Sequence, residues 1–493
     1  MAEHSLKARA IQSSMWTLGG FGTSRALRLA NHLILAWLLA PQIFGLMALV
    51  KVFMQGLGMF SDIGIGPSII QNKRGDDPVF LNTAWTIQII RGFALWIVTC
   101  ILAGPFSWWY AQSDPAASQL AFLLPVAALV TVFDGFNSTA LFTLNKELRL
   151  GRVTMIALGT QVISLTVMVG WALVHPTIWA MVAGGLAGSL FKMIVSHFIV
   201  PGHRARLQWD PECKKELFKF GRWIFLSTMF TFLSLNLDKL ILGKLLTLAE
   251  LGLYGIALVF AKAALDVASR LGSAVMFPVY SKYQDNPAQL MEVALKARYI
   301  VLWIGAAVCI CFATAAPLFF EKLWDSRYHQ TGTIAQWLVI YMWMRIMLQT
   351  MDRIPLATGN SKALFYSNII QTAGVFFATA GYWAAGLKGF IIGLAAGPLA
   401  AHLFLIQYIP LCRRIMLRQS AAFTIIGAIA GGATVVFTLW LKTAAGSHVW
   451  IAAIASLSLC PLLLAGWISY RYIRFAGLIP KKLSPVPQEA EVS

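Results

Sequence analysis

Charge is scarce in this chain. Of its 493 residues only 12% are Asp, Glu, Lys or Arg, about half of the roughly 25% found in soluble domains. No long polar block separates the apolar runs, which excludes a soluble enzyme, a disordered protein and a receptor with one membrane anchor. Cysteine chemistry is missing as well: Cys100, Cys213, Cys309, Cys311, Cys412 and Cys460 have neither metal-ligand nor disulfide spacing and read as small core residues. No metal or cofactor site is expected. Lys7 and Arg9 precede an apolar run, but Arg25 and Arg28 interrupt it, so the segment reads as a retained first span and not a cleaved leader.

What is present is apolar sequence, 58% of the chain. At roughly 20 residues per crossing, the length accommodates about a dozen or more helical spans. Fourteen are expected, near 11–39, 43–71, 80–103, 118–144, 153–175, 177–200, 217–243, 250–279, 297–319, 332–353, 362–385, 389–411, 421–441 and 449–470. The runs are too long for barrel strands and do not alternate, so the fold class is an all-α polytopic membrane protein. Pro41, Lys73-Arg74-Gly75, Pro201-Gly202, Gly359-Asn360 and Gly386 punctuate the runs.

The net charge of +19 would suggest nucleic acid in a soluble protein. Here it reads as orientation. With the N-terminus placed in the cytoplasm, twenty-five bases fall in cytoplasmic segments and five (Lys244, Lys322, Arg327, Lys388, Lys442) on the other side. That asymmetry fits an even number of spans with both termini inside. The external loop 104–117 has no Lys or Arg, and its Trp108, Trp109 and Tyr110 suit the membrane interface.

An internal repeat supplies the architecture. Residues 33–53 align without gaps to 240–260, with 9 identities in 21, and Gly45-Leu46 matches Gly252-Leu253. The offset of 207 residues covers six spans, so both copies insert in one orientation, related by an axis along the membrane normal. The expected organisation is an N-lobe at 1–200, a C-lobe at 201–418, two added spans at 419–474 and a cytoplasmic, disordered tail at 475–493. Gly184-xxx-Gly188 and Gly427-xxx-Gly431 read as close-packing faces.

Nine bases lie inside spans: Arg25, Arg28, Lys51, Arg91, Lys192, Lys239, Lys262, Arg270 and Arg345. Each costs roughly 2.5–3.5 kcal/mol at a helix centre, so such groups face protein or a wet cavity. Lys192 and Lys239 are close enough to span ends to snorkel. Helical spacing sorts the rest into stripes: Arg25, Arg28 and His32; Lys51, Gln55 and Asp62; Asp134 and Asn137; Ser227, Thr231, Ser234 and Asp238; Lys262, Asp266 and Arg270; Arg345, Gln349 and Asp352. Asp266, between two bases, also reads as neutralised within its own helix. The interior stays positive overall, which suits an anion, and guanidinium forks fit phosphate oxygens.

The segment Ser61-Asp62-Ile63-Gly64-Ile65-Gly66-Pro67-Ser68-Ile69-Ile70-Gln71-Asn72-Lys73 resembles the end of the second helix in exopolysaccharide exporters of the colanic-acid type. Asn145-Lys146-Glu147-Leu148, the LILGKLL…GLYGIA repeat, Phe277-Pro278 with Ser281-Lys282, and Phe320-Glu321-Lys322-Leu323-Trp324 are similar to that family too, over residues 10–415. These are Wzx-like flippases of the multidrug/oligosaccharidyl-lipid/polysaccharide (MOP) superfamily, with a MATE-like fold. The resemblance implies a two-lobe transporter of the bacterial inner membrane. It would move an undecaprenyl-pyrophosphate-linked oligosaccharide from the cytoplasmic to the periplasmic leaflet. The substrate and membrane lipids are the implied partners, with a polymerase and chain-length regulator of the same pathway.

Charge and depth make Arg25, Arg28, Arg270 and Arg345 the expected pyrophosphate ligands, with Arg91 beside them. Asp62, Asp134, Asn137, Ser234, Asp238, Lys262 and Asp266 are the polar and coupling candidates of a cavity. Two other classes compete. A multidrug or cation antiporter of the same fold predicts an acidic cavity. A membrane polymerase or ligase predicts a sizeable external loop and a catalytic constellation, and the sequence offers neither.

Overall fold

The structure is a computed structural model that describes residues 2–61, 64–72, 74–147, 149–198, 206–282, 287–357, 361–407 and 413–444. Asp62, the expected span at 449–470 and the tail at 475–493 lie outside the described residues, as does the side chain of Arg270.

Every regular element among the described residues is helical. They are α1 (Ala2–Leu38), α2 (Pro41–Phe60), α3 (Ile65–Gln71), α4 (Pro78–Ala111), α5 (Leu120–Ala127), α6 (Leu129–Gly135), α7 (Ala140–Lys146), α8 (Leu150–Val174) and α9 (Trp179–Phe198). Then follow α10 (Pro211–Leu245), α11 (Leu248–Lys282), α12 (Pro287–Lys322), α13 (His329–Ala357), α14 (Ser361–Leu394), α15 (Ala396–Gln407) and α16 (Arg413–Ala444), with short 3-10 turns at Pro115–Gln119 and Ser326–Tyr328. Eight segments of the described residues are long and apolar enough to cross a membrane. Large apolar side chains such as Phe122, Val174, Phe376 and Trp383 are more than two-thirds exposed, as lipid-facing residues must be in a bilayer protein.

The chain divides into two compact units, Met1–Ile256 with Trp324–Tyr328, and Ala257–Leu323 with His329–Ser493. In the first, α1 lies along α8, α8 on α9, α2 on α10, and α4 on α5 and α6. In the second, α12 packs on α13 and α16, and α14 on α15 and α13.

Three helical starts use the same Asp-Pro device. The Asp77 carboxylate accepts from Val79 N at 3.0 Å, Asp114 from Ala116 N at 3.0 Å and Asp210 from Cys213 N at 2.8 Å. In each the proline stands at the first helical position, where no N–H is needed.

The structure corrects several sequence expectations. Spans two and four are not continuous: the second breaks between α2 and α3, where Gly64 has φ 65°, and the fourth between α6 and α7. A left-handed φ is cheap for glycine, which permits the first break. The segment 104–117 is not all loop, because α4 runs through Pro105 to Ala111 and carries Trp108, Trp109 and Tyr110 on helix. The break expected at Gly386 is present, as a tight turn with φ 61°. The return of the chain is close: a Cβ on Gly374 would come within 2.2 Å of Gly397 Cα, and one on Gly381 within 2.3 Å of Gly389 O.

The two small-residue motifs differ in outcome. Gly184 and Gly188 do form a close face, with hypothetical Cβ atoms 2.7 Å from Ser164 O and 3.1 Å from Thr160 O. Gly427 has nothing within 4 Å, and Gly431 only Ile310 Cγ1 at 3.9 Å. They line an apolar cavity of about 230 Å³ with Cys309, Ile310, Trp343 and Thr424.

Candidate functional site

The basic stripe of α1 and its neighbour on α2 lie in the first unit. Arg28, Lys51 and Gln55 are exposed, whereas Arg25 and His32 are half-buried. Lys51 stands within electrostatic range of His32 as a like charge, so bases of two helices share one neighbourhood. Arg25 Cζ stands 5.1 Å from the centroid of the Phe21 ring, one turn away. Ser24 Oγ donates to Gln161 Oε1 at 2.8 Å and Gln161 Nε2 to Ser24 O at 3.0 Å, which fixes α1 to α8 at that level.

Arg91 has a structural task. Its Nε donates to Ser61 Oγ at 3.0 Å and its Nη2 to Gly58 O at 2.8 Å. A cation at the C-terminus of α2 meets carbonyls left without helical partners and the negative end of the helix dipole. Asp134 and Asn137 are brought together, Asn137 Nδ2 donating to Asp134 Oδ1 at 2.8 Å. Lys192 joins them at 3.0 Å from the same oxygen, so its side chain reaches a carboxylate and does not run to a span end. Lys239 bonds Leu235 O and Asn236 Oδ1 of its own helix. Asp238 Oδ2 accepts from Tyr254 OH at 2.8 Å, and Ser234 is half-buried on the same helix.

In the second unit, Lys262 and Asp266 are half-buried one turn apart on α11, and neither lacks a partner. Arg345 Nη1 donates to Gln371 Oε1 of α14.

Sequence reasoning missed Arg298. It counts there among cytoplasmic loop bases, yet it lies in α12, 1% exposed. Its guanidinium donates to Ser420 Oγ at 2.6 Å and to Met351 Sδ, with His402 Nε2 at 3.5 Å, and so joins α12 to α13, α15 and α16. Its position at the start of an apolar run gave no sign of this depth.

The repeat closes on itself within the first unit. A Cβ on Gly45 would stand 1.8 Å from Leu248 O, and one on Gly252 2.1 Å from Pro41 O. The alignment pairs Pro41 with Leu248, so each glycine faces the opening turn of the other copy. Flanking segments clasp the helix ends crosswise. Ser113 Oγ donates to Lys244 O at 2.9 Å and Tyr110 OH to Leu240 O at 3.1 Å, while Arg327 Nη2 reaches Trp37 O at 3.4 Å and Tyr328 OH reaches Leu39 O at 2.7 Å. Trp37 and Lys244 are equivalent in the repeat. One difference breaks the symmetry: Leu248 N donates to Asp114 Oδ2 at 3.0 Å, and Pro41 has no N–H to offer.

Outside the spans, Arg74 ties Asp77 at 3.2 Å to Glu216 at 3.4 Å. The hydrogen bond that the guanidinium donates to Asp77 raises the Arg74 pKa above its ordinary value. Backbone hydrogen bonding from Cys213 lowers that of Asp210.

Solved structures share this arrangement of helices. A solved structure titled "Lipid II flippase MurJ, inward closed conformation" is similar over 94% of this chain and 100% of its own, with TM-score 0.74 and 15% identity. A second, an inward-facing multidrug resistance MATE family transporter of the MOP superfamily, covers 80% of this chain and 96% of its own with TM-score 0.62 and 15% identity. Among curated proteins, an uncharacterized membrane protein in the cps region of Klebsiella pneumoniae is 23% identical over 82% of this chain and 83% of its own. The lipopolysaccharide biosynthesis protein WzxC of Escherichia coli (strain K12) is 21% identical over 75% and 74%. Residues 34–332 match the family described as polysaccharide biosynthesis protein. The chain belongs to that family.

Proposed function

We propose that this protein flips an undecaprenyl-pyrophosphate-linked oligosaccharide from the cytoplasmic to the periplasmic leaflet of the bacterial inner membrane. The observation that carries the reading is the exposed basic stripe of α1 and α2, Arg28 and Lys51 with His32 beside them, in a member of a polysaccharide biosynthesis family. A diphosphate headgroup needs cations at membrane depth, where each is expensive to place without a purpose. Fourteen spans in two lobes, 1–200 and 201–418, would rock about that site by alternating access, with both termini cytoplasmic. Arg25, Arg270 and Arg345 complete the proposed set of pyrophosphate ligands. Arg91, fastened to α2, would act through that helix.

On the proposed topology the clasp at Gly45 and Gly252 lies at the periplasmic end and holds that side shut. Substitution of Arg28 or Lys51 by Ala, in cells that make the polymer, tests the reading. Loss of polymer at unchanged protein level is expected, and normal polymer from both variants removes α1 and α2 from substrate binding.

A further inference from the structure

The last carbonyls of a helix have no partners within it. At the end of α1 the turn Ser326–Tyr328, which belongs to the first unit, brings donors to two carbonyls. Tyr328 OH donates to Leu39 O at 2.7 Å, and Arg327 Nη2 to Trp37 O at 3.4 Å. Asp325 holds the turn in shape: its Oδ1 accepts from Arg327 N at 3.0 Å and Nε at 2.7 Å, and its carbonyl from Tyr328 N at 2.9 Å. Tyr328 is fully buried.

The ring of Tyr328 also reaches downward, towards the basic stripe. It meets Phe44 of α2 edge-on, with centroids 5.9 Å apart and planes at 89°. Phe44 in turn lies 6.2 Å from the imidazole of His32. Both separations are within the range of aromatic contact, and Phe44 is 6% exposed. Three rings thus run from the stripe to the cap on α1. Close-packed side chains have little slack, so one such ring moves only if its neighbour gives. At the lower end His32 Nδ1 is buried with no hydrogen-bond partner, so no bond at that nitrogen resists a turn of the imidazole towards an anion.

The repeat provides an internal comparison. Tyrosine holds a helix carbonyl on both sides, Tyr328 at Leu39 and Tyr110 at Leu240. The offset of 207 pairs Phe44 with Leu251 and, carried one residue further, His32 with Lys239. The clasp therefore stands in the second copy without rings at these two positions, and the fold does not require them.

We propose that Phe44 is a positioning residue that couples the basic stripe to the Tyr328 cap. Displacement of the His32 ring moves Phe44, and Phe44 moves Tyr328 off Leu39 O. The two states are that hydrogen bond made, as here, and broken. Resting on the proposed function, a diphosphate drawn against Arg28 and Lys51 turns the imidazole and loosens the clasp at the end through which the headgroup leaves.

Amide hydrogen exchange of the full-length protein in detergent reads the cap at residues 324–328. Without ligand, His32→Ala should raise exchange there at least threefold and leave the turn at 175–181 unchanged. His32→Phe, which keeps a ring against Phe44, should exchange as wild type does. In a Phe44→Leu background His32→Ala should add nothing. No rise in His32→Ala, an equal rise in His32→Phe, or a full additional rise in Phe44→Leu overturns the coupling.

Inorganic pyrophosphate gives a second arm that the wild-type protein alone can decide. It should raise exchange at 324–328 in wild type and not in Phe44→Leu, with calorimetry showing it bound by both. Bound pyrophosphate that leaves wild-type exchange unchanged overturns the coupling. Absence of binding, with the ligand-free results as expected, supports the coupling and counts against the flippase reading alone.

Discussion

Gly45 and Gly252, 207 residues apart in sequence, face each other's helix starts. A methyl group on either would penetrate a carbonyl oxygen of the other copy, at 1.8 and 2.1 Å respectively. The contact is reciprocal, as an approximate two-fold axis between the copies requires.

Valine at either glycine therefore cannot be accommodated without pushing the copies apart. Overpacking of this kind costs about 1–3 kcal/mol. Gly45→Val and Gly252→Val should each lower the melting temperature by similar amounts. The double variant should add little to either, because the first substitution has already opened the seam; additive losses would show that the two glycines act independently.

Gln88 meets three carbonyls with one amide, those of Asp134, Gly135 and Asn137 at 2.9, 3.0 and 3.0 Å. Gln88→Glu keeps the shape and replaces the donor with an acceptor, so the carbonyls are left facing negative charge. Each orphaned buried group costs about 1–3 kcal/mol, and the substitution should prevent accumulation of folded protein at 37 °C. Gln88→Leu should be milder. Fluorescence-detected size-exclusion chromatography of the two variants tests the order.

Arg298 gives the opposite expectation. It is buried with a serine, a histidine and a thioether and no carboxylate among the described residues. An apolar side chain of similar length avoids desolvating a charge, and such exchanges are often neutral or stabilising. Arg298→Met should leave the melting temperature unchanged or raise it, whereas Arg298→Ala should cost about 2–5 kcal/mol through the cavity it leaves.

Asp210 caps α10 as a carboxylate, and its pKa is lowered by backbone hydrogen bonding from Cys213. A depressed folded-state pKa stabilises the fold above the ordinary value of 3.8, and that contribution is lost as pH falls through the lowered value. Asp210→Asn should thus melt below wild type at pH 6 to 8, with the gap closing on acidification beyond pH 4. A gap that persists in acid would assign the effect to something other than the carboxylate charge.

The sequence exposes what repeats along it. Apolar runs predict the helices, the 207-residue offset makes Gly45 and Gly252 equivalent without placing them in contact, and Gly386 marks a real turn. It hides what depends on a neighbour's side chain. Gln88 looks like one polar residue in an apolar run, and only its position across from residues 134–137 shows why the fourth helix can break. Lys192 sits close enough to a span end to suggest snorkelling, but which way a flexible lysine turns depends on α6, sixty residues earlier. Arg298 lies where a loop and a helix start read alike.

The missing amide hydrogen of Pro41 makes the duplicated halves mechanically unlike. Where Leu248 is tied by a directional bond to Asp114, its counterpart is stiffened by a pyrrolidine ring alone, and Asp325 is left to brace Arg327 instead. An opening of this seam would therefore break a directional bond on the Leu248 side and none of that kind on the Pro41 side.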